Sequence, residues 1–298
     1  MPLRIGAHPS NTSLAVFGAR PDTPAVLRAS GVDADFFRYN SGNQTVPLFT
    51  AGALDLSGTG STPPLHALAA GLDVVLLAVT PPRPDRGGLV VLHGSPVRDI
   101  TDLAGRSVAI MPTSWHPQLL VAALAGAGMS WHDLTVVELN DPTARDALLR
   151  GGIDAWIVTD PALRDLERRA PVRILTAAGG HHSNRSVIWS LGSVVDGDPE
   201  AVAAVLTALD ASDRRIAADP AEAARLLVGD ADPSDWTDVL ARRRWGLSRP
   251  DEEFVVEHQR HADLLAAAGV LARPIDVAGA LRGPAFGKEN PLWTSSGI

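Results

Sequence analysis

The chain has 298 residues, a formal net charge of −8 and a hydrophobic fraction of 45%, which suits one large or two smaller α/β units with a buried core. It has no cysteine, and this excludes disulfides, thiolate nucleophiles and Cys-ligated zinc within the chain. The densest basic stretch is Arg242–Arg244. We interpret it as a solvated helix face and predict no binding of nucleic acid.

The N-terminus runs directly from Met1-Pro2 into the apolar segment Leu3–Gly6, without the basic and apolar regions of a signal peptide. No apolar stretch reaches the roughly 18 residues that a membrane-spanning helix needs. We therefore expect a cytoplasmic protein without membrane insertion. The expected location becomes periplasmic or extracellular if a leader was removed before Met1.

Short apolar runs alternate with helical patterns in the first part of the chain, which predicts a mostly parallel sheet with crossover helices. Ser10 or Asn11 is expected to cap the first helix. Thr80–Gly88 is rich in Pro, Gly and Arg and is interpreted as a crossing between two lobes. Strands are predicted at Leu3–Ala7, Asp35–Tyr39, Leu54–Ser57 and Val74–Val79, and helices from Thr12, over Asn43–Ala51 and from Pro63.

The same alternation continues beyond the crossing, and Ser186–Gly192 is interpreted as the return. From Pro199 onward the apolar positions recur at helical spacing. Strands are predicted at Leu89–Leu92, Ser107–Met111, Leu134–Glu138, Ile153–Val158 and Val172–Leu175, and helices at Pro117–Gly126, Pro142–Leu149, Ala201–Ile216, Ala221–Leu227, Trp236–Arg244, Glu252–Ala267 and Ile275–Leu281.

This order predicts a two-lobed α/β protein whose ligand cleft lies between the lobes. Residues 1–84 and 188–298 form lobe one, and residues 85–187 form lobe two. In such folds, ligands bind outside the carboxyl ends of the strands, where two units meet.

Three loops rich in Ser, Thr and Gly precede helices and are expected to face this cleft. Such loops offer free backbone N–H groups and the positive end of a helix dipole, which suits an anion. Arg185 would supply a charged fork to a carboxylate or sulfonate, and Asp160 is either a cleft wall or, with Trp156, a packing residue. The loop candidates are Ser10, Asn11, Thr12, Thr59, Gly60, Ser61, Thr62, Thr113, Ser114, Trp115 and His116.

Four histidines, His8, His116, His181 and His182, lie on loops that should border the cleft. For each of them we favour hydrogen bonding to a ligand or a position on a solvated loop over acid–base catalysis or metal binding. The catalytic alternative assigns acid–base roles to His8, His181 and His182. The adjacent His181 and His182 point in different directions and no nearby pair completes a metal-ligand motif, so no metal site is expected, and no cofactor is expected. His258 and His261, with Glu257 nearby, could imitate a metal-binding face but are interpreted as surface residues of a helix.

Several segments together resemble the substrate-binding proteins of ABC importers for aliphatic sulfonates, taurine and nitrate, over roughly residues 3–282. Ala51–Asp55 reads AGALD, Gly58–Pro64 reads GTGSTPP, and Gly152–Trp156 reads GIDAW before Asp160-Pro161. Further matching segments are Arg4–Gly6, Ser95–Val97, Asp102–Ala109 and Ser183–Ser186.

The resemblance implies the type II periplasmic-binding-protein fold, a small anionic ligand of the sulfonate, sulfinate or carboxylate type, and a membrane component of an ABC importer as partner if the protein is exported. It also places Gln44 where this family often has a glutamine near the ligand. Ser61 stands where many relatives carry an acid, which makes an amino-sulfonate ligand less favoured.

A more distant resemblance to the aromatic sulfinate desulfinase on the same fold leaves an enzyme as the alternative. That enzyme carries a cysteine where this chain reads Ser10-Asn11-Thr12. A thiol mechanism is therefore not expected here, and a desulfinase-like or biosynthetic lyase would have to use the cleft histidines.

Overall fold

A computed structural model describes residues 2–8, 11–39, 42–83, 85–111 and 114–281. Within these residues, ten strands form two five-stranded sheets. The strands are β1 (Leu3–Ala7), β2 (Ala34–Arg38), β3 (Leu56–Thr59), β4 (Val74–Val79), β5 (Gly87–Leu92), β6 (Ser107–Ile110), β7 (Thr135–Glu138), β8 (Ala155–Thr159), β9 (Val172–Ala177) and β10 (Val187–Leu191).

Helices cover both faces of the sheets, and local capping fixes where several of them begin. The Asn11 side chain accepts from the Leu14 N–H at the start of the first helix, as expected for an N-cap. No helix in the described residues is both long and apolar enough to span a membrane. The helices are α1 (Thr12–Ala19), α2 (Thr23–Ala29), α3 (Thr45–Thr50), α4 (Thr62–Ala69), α5 (His116–Gly126), α6 (Asp141–Leu149), α7 (Ala162–Glu167), α8 (Gly192–Gly197), α9 (Pro199–Ala218), α10 (Pro220–Val228), α11 (Ser234–Arg242) and α12 (Glu252–Ala267).

The strand orders are β2-β1-β3-β10-β4 and β7-β6-β8-β5-β9. The prediction of a mostly parallel sheet is confirmed with one exception in each sheet. β10 runs antiparallel to β3 and β4, and β5 runs antiparallel to β8 and β9, while the other four strands of each sheet share one direction. The reason is the crossing itself. Each of these strands enters its sheet from the side of the other sheet, so it runs away from the edge at which its neighbours end.

Most predicted elements are confirmed to within two residues, but the helix over Ile275–Leu281 is wrong. Only a single 3-10 turn forms there, at Ala278–Ala280. Gln259 of α12 explains the difference, since its side chain donates to Ile275 O at 2.9 Å and accepts from the Val277 N–H at 2.9 Å. These two hydrogen bonds hold residues 275–277 against α12 in a non-helical conformation.

The C-terminal helices pack on the first sheet and contact helices that belong with the second sheet. α9 packs with the core of the first sheet through Val202, Val205 and Leu209, while α12 packs on its other face and contacts α5. α11 forms ion pairs with α7, including Arg164–Asp238 at 2.8 Å. α7 belongs to the part of the chain that forms the second sheet, which we call the second unit. These contacts close the space between the two sheets from one side.

Candidate functional site

A cavity of about 300 Å³ lies between the two sheets. We call it the central cavity. It lies where β1 and β8 end, as expected for a site at the carboxyl ends of strands. Its lining residues are His8, Thr12, Gly60, Arg83, Asp85, Met111, Ser114, Trp115, His116, Asp141, Thr159, Asp160, Pro161, Ala162, Asn184, Trp236 and Arg243.

Helix starts converge on the central cavity from both sheets. Thr12, His116, Asp141 and Ala162 are the first residues of α1, α5, α6 and α7, and all four line it. Gly60 brings in the loop before α4. The first N–H groups of a helix lack intrahelical partners and carry a partial positive charge. The lining is therefore suited to hold negative charge.

Arg83 adds a cation to this lining. Its side chain donates to Ser186 Oγ, and its backbone N–H donates to Ser183 O at 3.0 Å. Burial is the main reason that the pKa of Arg83 falls to about 9, and the charge of Arg243 lowers it further. The guanidinium is thus still charged at neutral pH, in a place where a bound anion would stabilise it.

A buried ion pair between Asp85 and Arg243 closes one wall of the central cavity. Arg243 Nε and Nη2 lie 2.9 and 2.7 Å from the two carboxylate oxygens of Asp85. Arg243 Nη1 also donates to Thr12 Oγ1 at 3.0 Å, and Asn184 Nδ2 donates to Asp85 at 3.2 Å. The interpretation of Arg242–Arg244 as a solvated face is wrong for Arg243, because its partner lies 158 positions earlier in the chain.

The Asp160 carboxylate lies in the wall of the second unit, and cations surround it. Its side chain is 1% exposed and forms ion pairs with Arg86 at 3.2 Å, Arg164 at 3.2 Å and Arg242 at 3.3 Å. These three partners compensate its charge. Trp156, by contrast, packs in the core of the second unit, which confirms the packing alternative for that residue.

The structure gathers seven of the predicted site residues around the central cavity, namely His8, Thr12, Gly60, Ser114, Trp115, His116 and Asp160. Two further predicted residues, Ser10 and Thr113, lie outside the described residues.

Six other predicted residues do not line the central cavity. Asn11 caps α1, and Thr59 Oγ1 accepts from Trp189 Nε1 at 3.0 Å. Thr62 donates to Ser114 O, and Ser61 Oγ donates to Gln118 Oε1 at 2.5 Å. Arg185 forms an ion pair with Asp251 at 3.0 Å. Gln44 is exposed just before α3.

The three histidines of the catalytic alternative are not brought together. His8 lines the central cavity, and burial lowers its pKa to about 4, so the ring is neutral. His181 and His182 line a different cavity, next to α12. Both nitrogens of His182 are engaged, Nε2 with Gln118 Oε1 at 2.5 Å and Nδ1 with the Asn184 N–H at 2.6 Å.

The interpretation of His258 and His261 as surface residues is wrong, since their side chains are buried at 1% and 0% exposure. They continue the buried stripe of α12 that also contains Phe254 and Leu265. Their spacing is that of an amphipathic helix face. This spacing is visible in the sequence, but histidine is a polar residue, so burial was not predicted for these two positions.

We expect the buried histidines to make the fold sensitive to acid. Burial lowers the pKa of His258 to about 3 and that of His261 to about 4, whereas unfolded histidine titrates near roughly 6.5. The unfolded state therefore binds more protons below that pH, and stability falls as pH decreases from about 6.5 toward about 3.

The variant His258→Gln tests this sensitivity in urea unfolding at pH 7 and pH 4.5. In the parent protein, His258 should lower the free energy of unfolding by about 1.4 kcal/mol for each pH unit below the unfolded pKa. The variant should not show this part of the decrease. The exposed His132 provides the control variant His132→Gln. If both variants keep the pH slope of the parent protein, His258 does not contribute to it.

Sequence reasoning missed the charged groups of the central cavity, above all Arg83, Asp85 and Arg243. Arg83 and Asp85 fall in the segment that was correctly predicted to cross between the sheets. This position was the sequence signal that could have indicated that they line a site between the sheets. Asp141 was also missed. Burial at the first position of α6 raises its pKa to about 6.

Comparisons with known proteins give a family and a fold. The family model described as NMT1/THI5 like matches residues 27–223. A protein of Escherichia coli (strain K12) named for binding aliphatic sulfonates is 35% identical over 137 residues, which cover 46% of this chain and 43% of that protein. The match thus spans less than half the length of this relative.

Solved structures match almost the whole chain. The periplasmic aliphatic sulphonate binding protein SsuA from Escherichia coli superposes with a TM-score of 0.83 at 24% identity, covering 95% of this chain and 92% of that one. The alkanesulfonate-binding protein SsuA from Xanthomonas axonopodis pv. citri, bound to MOPS, gives a TM-score of 0.79 at 27% identity and covers 94% and 97%. The predicted periplasmic-binding-protein fold is confirmed.

Proposed function

Because the chain belongs to the NMT1/THI5 like family, we propose that it binds a small organic anion in the central cavity, as a solute-binding protein does. The observation that carries the proposal is the convergence of helix starts from both sheets around a cavity that also contains Arg83. The positive ends of these helix dipoles and the guanidinium of Arg83 line the same small cavity. A sulfonate, sulfinate or carboxylate group would satisfy both.

An alkyl sulfonate is the ligand class that we propose first. The two similar solved structures are named for binding sulfonates of this type. A volume of about 300 Å³ is at the small end of ligand sites. Met111, Trp115 and Trp236 line the same cavity and offer apolar surface to the organic part, while Thr12, Gly60, Ser114 and Arg83 would hold the charged group.

In this proposal, residues 1–84 with 188–298 and residues 85–187 act as two lobes that close on the ligand. Both crossing segments contribute to the cavity, the first through Arg83 and Asp85 and the second through Asn184. Ligand contacts to both lobes would favour a closed state by their differential affinity for it. A location outside the cytoplasmic membrane and an ABC importer as partner belong to the same proposal.

Binding is favoured over catalysis by the positions of the histidines. Of His8, His181 and His182, only His8 lines the central cavity. A general acid–base mechanism needs a group whose pKa lies near the operating pH, whereas that of His8 is lowered to about 4. The lyase alternative that rests on His8, His181 and His182 therefore lacks the pair of histidines that it would require.

Calorimetry and thermal unfolding with alkanesulfonates, alkanesulfinates, alkyl carboxylates, taurine and nitrate test the proposal. A ligand at 100 times its dissociation constant should stabilise the protein by about 2.7 kcal/mol. The primary alkylamine of equal chain length is the matched control and should give no shift. Mass spectrometry of each mixture should recover the compound unchanged. Failure of every anion to bind would contradict the proposal, and conversion of a bound compound would indicate an enzyme.

A further inference from the structure

A second polar cluster lies behind the central cavity, between α12 and the segment that leads into β10. It consists of His182, Glu257 and His261, which each bring one nitrogen or carboxylate oxygen to within 4.8 Å of the others. His182 and His261 are buried, and Glu257 is half-buried. We propose that this cluster is a site for a divalent transition metal ion, with Zn²⁺ as the best-matched ion.

The hydrogen bonds of His182 set its tautomer. The backbone N–H of Asn184 donates to Nδ1 at 2.6 Å, so in the neutral ring Nε2 carries the proton. Nε2–H in turn donates to Gln118 Oε1 at 2.5 Å. The Nδ1 lone pair is therefore occupied by the Asn184 N–H, and an amide carbonyl holds the opposite nitrogen. A metal ion would take the place of the Asn184 N–H.

His261 also carries its proton on Nε2. Its Nε2 lies 3.0 Å from the backbone oxygen of His181, which can only accept, so Nε2 donates. The lone pair of its Nδ1 is buried and has no hydrogen-bond partner among the described residues. Metal-binding histidines commonly donate their second N–H to a carbonyl or carboxylate, which fixes the tautomer and the ring orientation. Both histidines here are held in this way.

Glu257 supplies the third ligand from the same helix face as His261, one turn earlier. Its Oε1 accepts from the backbone N–H and the hydroxyl of Ser183, at 3.0 and 2.9 Å. These bonds place the carboxylate beside the residue that follows His182. Two histidines and one carboxylate form a ligand set that Zn²⁺ uses, with water in the fourth position.

Distances and access also suit a metal ion. Ligands of tetrahedral Zn²⁺ lie roughly 3.3 Å apart, and the three candidate ligand atoms already lie within 4.8 Å of one another, so side-chain rotations would bring them to a metal ion. An open cavity of about 970 Å³, lined by His182 and Glu257, connects the cluster to solvent. The cations that line this cavity and oppose a metal ion are Arg83, Arg244 and Arg260, whereas the acids Glu252 and Glu253 favour one.

The test uses the full chain, stripped with chelator and titrated with Zn²⁺ alone in a calorimeter, and with Co²⁺ in an absorption spectrometer. We expect one Zn²⁺ per chain, a tetrahedral Co²⁺ spectrum and a rise in the melting temperature. Glu257→Gln and His261→Gln should each weaken Zn²⁺ binding at least about 10-fold, and Gln118→Met should weaken it about 10- to 100-fold. His132→Gln, at an exposed histidine, should leave it unchanged.

Two results would overturn the proposal. One is no stoichiometric Zn²⁺ binding by the parent protein. The other is binding by Glu257→Gln as tight as that of the parent. Glu257→Gln is nearly isosteric at a half-buried position, so it keeps the test decisive if the variant at buried His261 fails to fold, which circular dichroism would reveal.

Discussion

Asp85→Asn is expected to destabilise the folded protein by about 3–5 kcal/mol, because it leaves Arg243 as an uncompensated buried charge. The two side chains are 4% and 6% exposed, so solvent does little to screen the loss. Arg83 lies close to Arg243 and increases the penalty, since its positive charge already opposes that of Arg243. Urea unfolding at pH 7 measures the change.

A matched control is available at the surface. Asp22 pairs with Arg215 at 2.7 Å, with both side chains about half exposed, and Asp22→Asn should cost less than about 1 kcal/mol. The double variant Asp85→Leu/Arg243→Met removes both charges together and should recover most of the lost stability. Equal stability losses for Asp85→Asn and Asp22→Asn would show that the buried pair has no special role.

Arg83→Met is expected to weaken anion binding by roughly 30-fold to several thousand-fold. This range corresponds to the about 2–5 kcal/mol that is lost when one partner of a buried charge pair is truncated. Arg83 is partly buried, and its pKa is lowered by burial, so the free protein bears a desolvation cost that the ligand would offset. Calorimetry with the best-binding sulfonate measures the change in dissociation constant.

The stability of Arg83→Met separates a binding effect from a folding effect. We expect the free energy of unfolding of the ligand-free variant to match or exceed that of the parent, because a desolvated charge has been removed. Arg98→Met, at an exposed arginine of the second unit, is the control and should bind as the parent does. If Arg83→Met retains full affinity, the anion is held elsewhere.

The variant Asp85→Asn also tests whether the positive charge of the central cavity favours anion binding. Asp85→Asn makes the central cavity more positive, so the affinity for an anion should stay the same or rise although the protein becomes less stable. Loss of both stability and affinity would indicate that Asp85 acts mainly by positioning Arg243 and Thr12, which are joined by a 3.0 Å hydrogen bond.

The sequence by itself determined the order and type of most elements. β1, β4 and α12 begin and end where the apolar patterns predicted, because these signals are local to each segment. The Asn11 cap was predictable for the same reason, since a side chain at the helix start bonds to the N–H groups that follow it. The first crossing followed from composition, since β4 and β5 on its two sides lie in different sheets. The segment Ser186–Gly192, interpreted as the return, is instead strand β10 of the first sheet.

Only the tertiary structure decided which charges meet in the central cavity and which polar groups are buried. Asp85 and Arg243 are separated by 158 positions, and His182 and Gln118 by 64, so no local pattern links them. The burial of His258 and His261 depends on the packing of α12 against its neighbours, and the antiparallel direction of β5 and β10 depends on the side from which each strand enters. Such features arise from long-range contacts, and a single sequence has no periodicity that records them.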